Sequence, residues 1–406
     1  MTAVTIDLTD PDAFIRQEHH GMLAWLREND PVHWHTYEGE GGFWALTRYD
    51  DLLTAYREHA TFSSSGGAML GGSFRSDADT ASNRMLVASD PPRQRLLRQQ
   101  MHPPFAQDSV NKVAAQVTTL VKAAVDKALA DGGCDFATDI APELPAGALM
   151  AIMGISHEEA LELVNMTRRM IGFRDPRWVD TSDDERLRLA VIQSEILEFF
   201  ADIARDRRKH PGGDDVISLL LRAKLNGRPL PEADVLYNCM NVAVGGNETS
   251  SYTACTGTIA LAENPEEWAK LQAEPGLLDS GLNEILRWSS TNAYVQRVAM
   301  RDVDFHGRQI RKGDSVTLWN VSANRDERQF PRAHEFHVDR SPNRHLTYGS
   351  GIHRCVGAPV AQVELPILYR ELLDRRVRFT ISGEVVRLRS NFILGVTHLP
   401  LAMEAA

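Results

Sequence analysis

A mainly α-helical fold with small β-sheets is what this chain predicts. Three observations carry that reading: helical apolar spacing over most of the length, β-like runs too short and dispersed for a doubly wound sheet, and no internal repeat. The periodicity predicts helices over 13–28, 93–102, 109–130, 158–171, 183–208, 231–263, 265–273, 277–289 and 357–373. Strands are expected at 32–36, 43–47, 296–305, 308–310, 315–319, 376–381 and 396–402, enough for satellite sheets only. No Ser/Pro linker divides the chain, so residues 1–406 read as one domain, with β pieces near 30–60, near 290–320 and at the C-terminus.

Composition narrows the class. With 43% hydrophobic and 24% charged residues, the 406-residue chain is neither fibrous nor disordered. Lys plus Arg number 44 against 55 Asp plus Glu, and the resulting charge of −11 argues against a nucleic-acid partner. No apolar run nears the ~20 residues needed to span a bilayer, and the acidic start MTAVTIDLTDPDAF lacks a signal-peptide stretch. A cytoplasmic protein without membrane attachment is expected, with monomer as the default state. The four cysteines, Cys134, Cys239, Cys255 and Cys355, contain no CxxC pair, so a cysteine that matters acts alone.

Two interruptions stand out. The Gly- and Ser-rich stretch 63–89 reads as a loop or lid, and 172–185 separates two amphipathic helices. The 231–263 helix opens with Pro231, Glu232 and Asp234 and stops at Asn264-Pro265. At 1.5 Å per residue it spans roughly 50 Å, a beam across the domain. Gly245-Gly246 at its middle cost about 1 kcal/mol each relative to Ala. Either they form a packing kink against another helix, or they thin the beam so that a ligand approaches its backbone, with the Thr249 hydroxyl bonding back to the Gly245 carbonyl.

The densest signal is Leu346-Thr347-Tyr348-Gly349-Ser350-Gly351-Ile352-His353-Arg354-Cys355-Val356-Gly357, followed by a helical pattern. Free backbone N–H groups and the positive helix end lie beside the sulfur, favouring thiolate, so Cys355 is a candidate metal ligand or, more plainly, a small buried hydrophobe. Arg354 stands where a dinucleotide fingerprint needs Gly, and no GxSxG or GxxxxGK[ST] string occurs.

With Tyr348 in place of Phe, this segment resembles the FGxGxHxCxG haem loop of the cytochrome P450 family. Further family motifs follow in order: Asp90-Pro91-Pro92 with Arg98, Gly245-Gly246-Asn247-Glu248-Thr249, and the ExxR motif Glu284-Ile285-Leu286-Arg287. The resemblance covers nearly the whole chain. It implies the P450 fold, with haem b between the long central helix and the cysteine loop, and Cys355 as axial thiolate whose charge favours O–O cleavage. Gly349, Gly351 and Gly357 would shape the loop around the sulfur, with Tyr348 as its aromatic wall. Arg98, Arg297 and His353 map to propionate-binding positions, as does Gln94, where the family often has His. Glu284 and Arg287 would pair at i, i+3, with Arg340 as third member and Arg325 as its rival. Glu248 and Thr249 resemble the family's acid–alcohol pair for proton delivery, beside Gly245 and Gly246, which leave room for dioxygen and a water.

The same resemblance implies a soluble bacterial-type monooxygenase that inserts one oxygen atom from O2 into a small, largely apolar substrate, in secondary-metabolite tailoring. Its pocket would take residues from the 65–89 loop, including Met85 and Leu86, from 165–185, from Asn241, Val242 and Val244, from Asn292 to Val295, and from Asn391 to Leu394, including Phe392 and Ile393. Electrons would come from NAD(P)H through a ferredoxin or flavodoxin docked on Arg93, Arg95, Arg344 and Arg354. A peroxide-driven enzyme and a non-oxygenating haem sensor are the alternatives. A reduced, carbon-monoxide-saturated sample is expected to show the far-red Soret band of thiolate ligation; a folded protein without that band would overturn the assignment of Cys355.

Overall fold

The apolar spacing resolves, in the computed structural model, into helices α1 (Pro11–Ile15), α2 (His19–Asn29), α3 (Tyr49–Arg57), α4 (Arg93–Met101), α5 (Gln107–Ala130), α6 (Phe136–Asp139), α7 (Glu143–Met153), α8 (His157–Ile171), α9 (Glu185–Lys209), α10 (Val216–Arg222), α11 (Glu232–Glu263), α12 (Pro265–Ala273), α13 (Leu278–Ser289), α14 (Asn320–Ala323) and α15 (Ala358–Asp374). The structure describes residues 5–36, 41–70, 81–182 and 184–405, so part of the proposed 63–89 lid lies outside the described residues.

Helix α5 shows how the core is built. Val113, Val117, Val121 and Val125 recur at every fourth position and are fully buried, giving one apolar stripe that packs on α7 and α15. Gly147 of α7 permits the close approach, since a Cβ there would meet Val117 Cγ2 at 2.8 Å. Helix α8 begins with a capping box in which Ser156 and Glu159 exchange side-chain and backbone bonds. Helix α11 runs unbroken through this core against α7, α8, α9 and α13.

The strands are β1 (Val32–Thr36), β2 (Gly42–Leu46), β3 (Phe62–Ser63), β4 (Gly133–Asp135), β5 (Lys224–Leu225), β6 (Arg228–Pro229), β7 (Val295–Ala299), β8 (Val303–Phe305), β9 (Arg308–Ile310), β10 (Ser315–Leu318), β11 (Arg378–Ile381), β12 (Val386–Arg387), β13 (Val396–His398) and β14 (Pro400–Glu404). Satellite sheets understate the arrangement. Five strands form one mixed sheet in the order β1-β2-β10-β7-β3, in which Val316 sits opposite Trp44 in a parallel pair and opposite Arg297 in an antiparallel one. That register carries Arg297 inward on a central strand.

Several expected boundaries shift for local reasons. The 13–28 helix is two helices, because Gln17 takes a positive φ of 62° between them. The 296–305 strand splits into β7 and β8, which belong to different sheets, and 396–402 splits into β13 and β14 in the same way. Helix α7 escapes a periodicity reading because it is buried on nearly all faces and shows no polar stripe, while α3 and α10 are short.

Behind the core lies a charged knot. Arg287 Nε and Nη2 each donate to Glu284 at 2.7 Å, and Arg340 Nε, Asn343 Nδ2 and the His337 N–H reach the same carboxylate at 3.0–3.1 Å. Burial alone would push the Glu284 carboxyl up; these donors hold it below the ordinary glutamate value. Arg325, the alternative third partner, instead lies over the Trp288 ring at 4.5 Å. Removing Glu284 would leave buried Arg287 uncompensated. Glu284→Ala is expected to cost about 3–5 kcal/mol in urea unfolding, whereas breaking the exposed Arg378–Glu404 pair should leave the transition midpoint unmoved.

Candidate active site

The loop before α15 is held by its own backbone. The Gly349 N–H bonds Leu346 O at 2.8 Å and the Cys355 N–H bonds Tyr348 O at 2.9 Å, while Asn324 Oδ1 accepts from the Leu346 N–H at 2.7 Å. Gly349 and Gly351 take φ values of +64° and +69°. A Cβ on Gly351 would sit 2.6 Å from the Tyr56 carbonyl oxygen, so Tyr56, not the sulfur, demands this glycine. At Gly357 a Cβ would rest in ordinary contact with Cys355 Sγ at 3.8 Å.

Cys355 is the exposed cysteine of the four. Its thiol is reachable by solvent yet crowded by protein, and that crowding raises its pKa; the N–H groups of Gly357 and Ala358 and the charges of Arg98 and Arg354 pull it back. Cys134, by contrast, is pushed up to about 12 by burial beside Asp139 and Asp135.

Three basic groups gather near this thiol without an ion-pair partner among the described residues. Arg297 is buried, stands 5.8 Å over the Tyr56 ring, and loses basicity through burial. Arg98 is half-buried and feels the Cys355 sulfur. His353 is driven down to about 3 by burial and by the charges of Arg297 and Arg98, and its Nε2 has no hydrogen-bond partner. Gln94 departs from the expected role: its Nε2 donates to the Ile352 carbonyl at 2.8 Å, tying α4 to the loop, where Arg98 Nη1 also donates at 3.3 Å. Tyr348 keeps a buried hydroxyl without a partner, and burial raises its pKa. Tyr56 and His59, absent from the sequence reading, belong to this neighbourhood; no motif marks them.

On α11, Gly245 and Gly246 are the only exposed residues between Asp234 and Leu261, and a Cβ added to either meets nothing within 4 Å. A packing kink is therefore excluded. The Thr249 hydroxyl donates to Gly245 O at 2.9 Å, as the sequence suggested. Glu248 is fully buried and raised by desolvation, which Arg168 of α8 opposes. Arg168 Nε lies 3.3 and 3.4 Å from the two carboxylate oxygens and hydrogen-bonds only Oε2. Asn247 Nδ2 donates to Thr167 Oγ1 at 2.5 Å beside it.

The structure also adds a carboxyl that sequence reasoning missed. Glu364 of α15 is buried, feels Ser250 next to Thr249, and is pushed up to about 7 by desolvation. An acid inside the apolar run of 360–368 was the available signal.

The expected pocket segments converge in part. Ile393 packs with Ile171 and Tyr252, and Val244 and Phe392 pack against them. Leu70, Phe173 and Phe392 line one small cleft, which joins the 65–89 loop, the 172–184 interruption and the 391–394 segment. The Leu86 N–H bonds Asn238 Oδ1 at 2.9 Å, fixing that loop on α11, with Met85 and Val242 in the same apolar cluster. Asn292 pairs with Ile393 in a β-bridge, while Val295 packs on the five-stranded sheet side and Asn241 is half-buried. Of the four arginines expected to dock a partner, Arg93 is bound to Asp234 and leaves the set; Arg95, Arg344 and Arg354 are exposed.

Comparison with known proteins places this geometry. The cytochrome P450 family model matches residues 33–392. Linalool 8-monooxygenase of Pseudomonas putida is 30% identical over 404 residues, covering 98% of each chain. The P450 CYP268A2 of Mycobacterium marinum, solved in complex with pseudoionone, superposes with a TM-score of 0.88 at 28% identity, covering 98% of each chain. P450 OxyD, involved in the biosynthesis of vancomycin-type antibiotics, gives 0.88 at 31% identity over 99% of this chain and 100% of its own. The chain belongs to the cytochrome P450 family, in its bacterial type, and is an oxidoreductase of the monooxygenase class. No helix among the described residues is long and apolar enough to cross a membrane.

The family implies haem and dioxygen, and the residues present fit a haem: one thiol with two N–H donors on its sulfur, three basic groups lacking carboxylate partners, and two glycines open on their outer side. The buried Glu364 yields a pH prediction. Its folded pKa of about 7 exceeds the unfolded value of 4.5, so the folded protein holds the extra proton in that window and stability falls as pH rises through it. Glu364→Gln should remove this slope, gaining up to about 3 kcal/mol on the wild type between pH 4 and pH 8 in denaturant titrations.

Proposed function

We propose that this chain inserts one oxygen atom from dioxygen into a small, largely apolar molecule, in the tailoring of a secondary metabolite, with electrons from NAD(P)H delivered by a ferredoxin-type or flavodoxin-type donor. The observation that carries the reading is on α11: the only exposed stretch of its buried span is Gly245-Gly246, and the buried carboxyl of Glu248 and the hydroxyl of Thr249 follow at once. A passive haem binder has no need of an acid and an alcohol there.

Cys355 would hold the haem iron, with Arg98, Arg297 and His353 on the propionates and Tyr348 against the sulfur side. The bound haem supplies dioxygen activation. Burial raises the Cys355 pKa, and the N–H groups of Gly357 and Ala358 oppose that rise; they would temper the charge of an iron-bound sulfur. Thr249 holds a proton at Oγ1 that it donates to Gly245 O, and it can turn this proton toward a ligand lying along the glycines. Glu248, with Oε1 free of hydrogen bonds and Oε2 bound to Arg168, is the acid that replenishes it.

The apolar walls formed by Ile171, Val244, Phe392 and Ile393 exclude water and favour a hydrocarbon body, while Asn241 and Asn292 offer amides to an oxygenated group. Linalool, in the name of one relative, and pseudoionone, bound to another, are molecules of that description. Arg95, Arg344 and Arg354 form the exposed basic surface beside the cysteine loop on which an acidic electron donor would dock, in a cytoplasmic monomer. Thr249→Ala is expected to keep electron consumption while lowering product per electron several-fold, with peroxide released instead. Measured in a reconstituted system, unchanged coupling would overturn the role of Thr249.

A further inference from the structure

A second cavity lies away from Cys355, at the far end of α11. It has a volume of about 240 Å³ and is lined by α1 and α2, by Thr256, Ile259 and Glu263 of α11, by Trp288 and Ser289 of α13, by Arg325, and by the 387–395 segment. Thr256 stands seven residues beyond Thr249, roughly 10 Å along the helix axis. No residue of the cavity wall belongs to the cysteine loop or its cations.

Its polar groups are unsatisfied in one sense. His19 is fully buried, stacks on Phe14 at 4.6 Å, and has neither ring nitrogen hydrogen-bonded. His20, 4.0 Å from it, has an unpartnered buried Nδ1. Buried Arg325 uses Nη2 on the Trp288 carbonyl at 3.0 Å and leaves Nη1 without a partner. Arg387 and His334 complete the basic lining, and Glu263, exposed at the rim, is its single acid among the described residues. Buried donors left unpaired are costly; His334 is paired with Glu327, but Arg325 Nη1 and the buried nitrogens of His19 and His20 have no partner, and this set calls for an anion. Burial and the charges of Arg325 and Arg387 press His19 down to about 3, the behaviour of an imidazole among cations with no anion beside it.

The rest of the wall selects the anion. Phe14, Ile259, Trp288, Leu388 and Leu394 are apolar, and 240 Å³ far exceeds the ~30 Å³ share of one water. A bare oxyanion would leave these surfaces wet. We propose that this cavity is a second ligand site that takes a small carboxylate with an apolar or aromatic body, its carboxylate on Arg325, Arg387 and the His19–His20 pair and its body against Phe14, Ile259 and Trp288.

The test is calorimetric titration of the haem-loaded protein with benzoate, its substrate pocket first blocked by phenylimidazole, and with inorganic phosphate as the bare oxyanion. Benzoate is expected to bind one per chain with the azole in place and without moving the Soret band, and phosphate at least tenfold more weakly. Arg387→Gln should weaken benzoate at least fivefold, and Thr256→Phe, which fills the cavity, should abolish binding, both variants keeping the wild-type carbon monoxide spectrum. Absence of heat, binding lost when the azole is present, equal affinity in both variants, or phosphate binding as tightly as benzoate would each overturn the proposal.

Discussion

Holding the Cys355 thiol among opposing donors and cations is the constraint from which the rest of this structure follows. A crowded thiol resists ionisation, and Cys355 is crowded. The chain answers with two N–H donors from the start of α15 and with Arg98 and Arg354, and each of these must be held in place. The bends at Gly349 and Gly351 set the loop, Asn324 anchors its entrance, and Gln94 ties α4 to the Ile352 carbonyl so that Arg98 stays near the sulfur. The Glu284–Arg287–Arg340 knot, packed behind the same loop, supplies rigidity at a distance; Arg287 Nη1 also reaches the Asn324 carbonyl, joining the two.

Charge is distributed with the same economy. A protein carrying −11 overall concentrates unpaired basic groups in two interior places, one around Arg98, Arg297 and His353 and one around Arg325, His19 and His20. In both, burial, helped by neighbouring guanidiniums, holds an imidazole neutral at ordinary pH. An anion entering either place meets preorganised donors that no described carboxylate ion-pairs.

How much of this was legible from residues alone depends on whether the signal is local. The cysteine loop, the paired glycines with Glu248 and Thr249, and Glu284 with Arg287 sit in short contiguous strings, so spacing exposed them. Helix existence was legible for the same reason wherever one face stays polar, as in α5, α8 and α9. What escaped depends on distant pairing. Arg340 and Arg325 could be ranked only by seeing which one reaches Glu284. The five-stranded sheet joins residues 42–46 to 315–318, a pairing no periodicity announces. Helix α7 hid because burial on all sides erases the polar stripe, Arg93 because its partner Asp234 lies 141 positions away, and Glu364 because its meaning lies in Ser250 on another helix.

The close approach of Gly351 to the Tyr56 carbonyl divides the molecule into parts of unequal freedom. Around that contact even a methyl group has nowhere to go, so position 351 admits no side chain. Asn241, Phe392 and Ile393, in the proposed substrate pocket, include no glycine under such a steric lock. An engineer wishing to alter selectivity should therefore diversify those three positions and leave the loop alone.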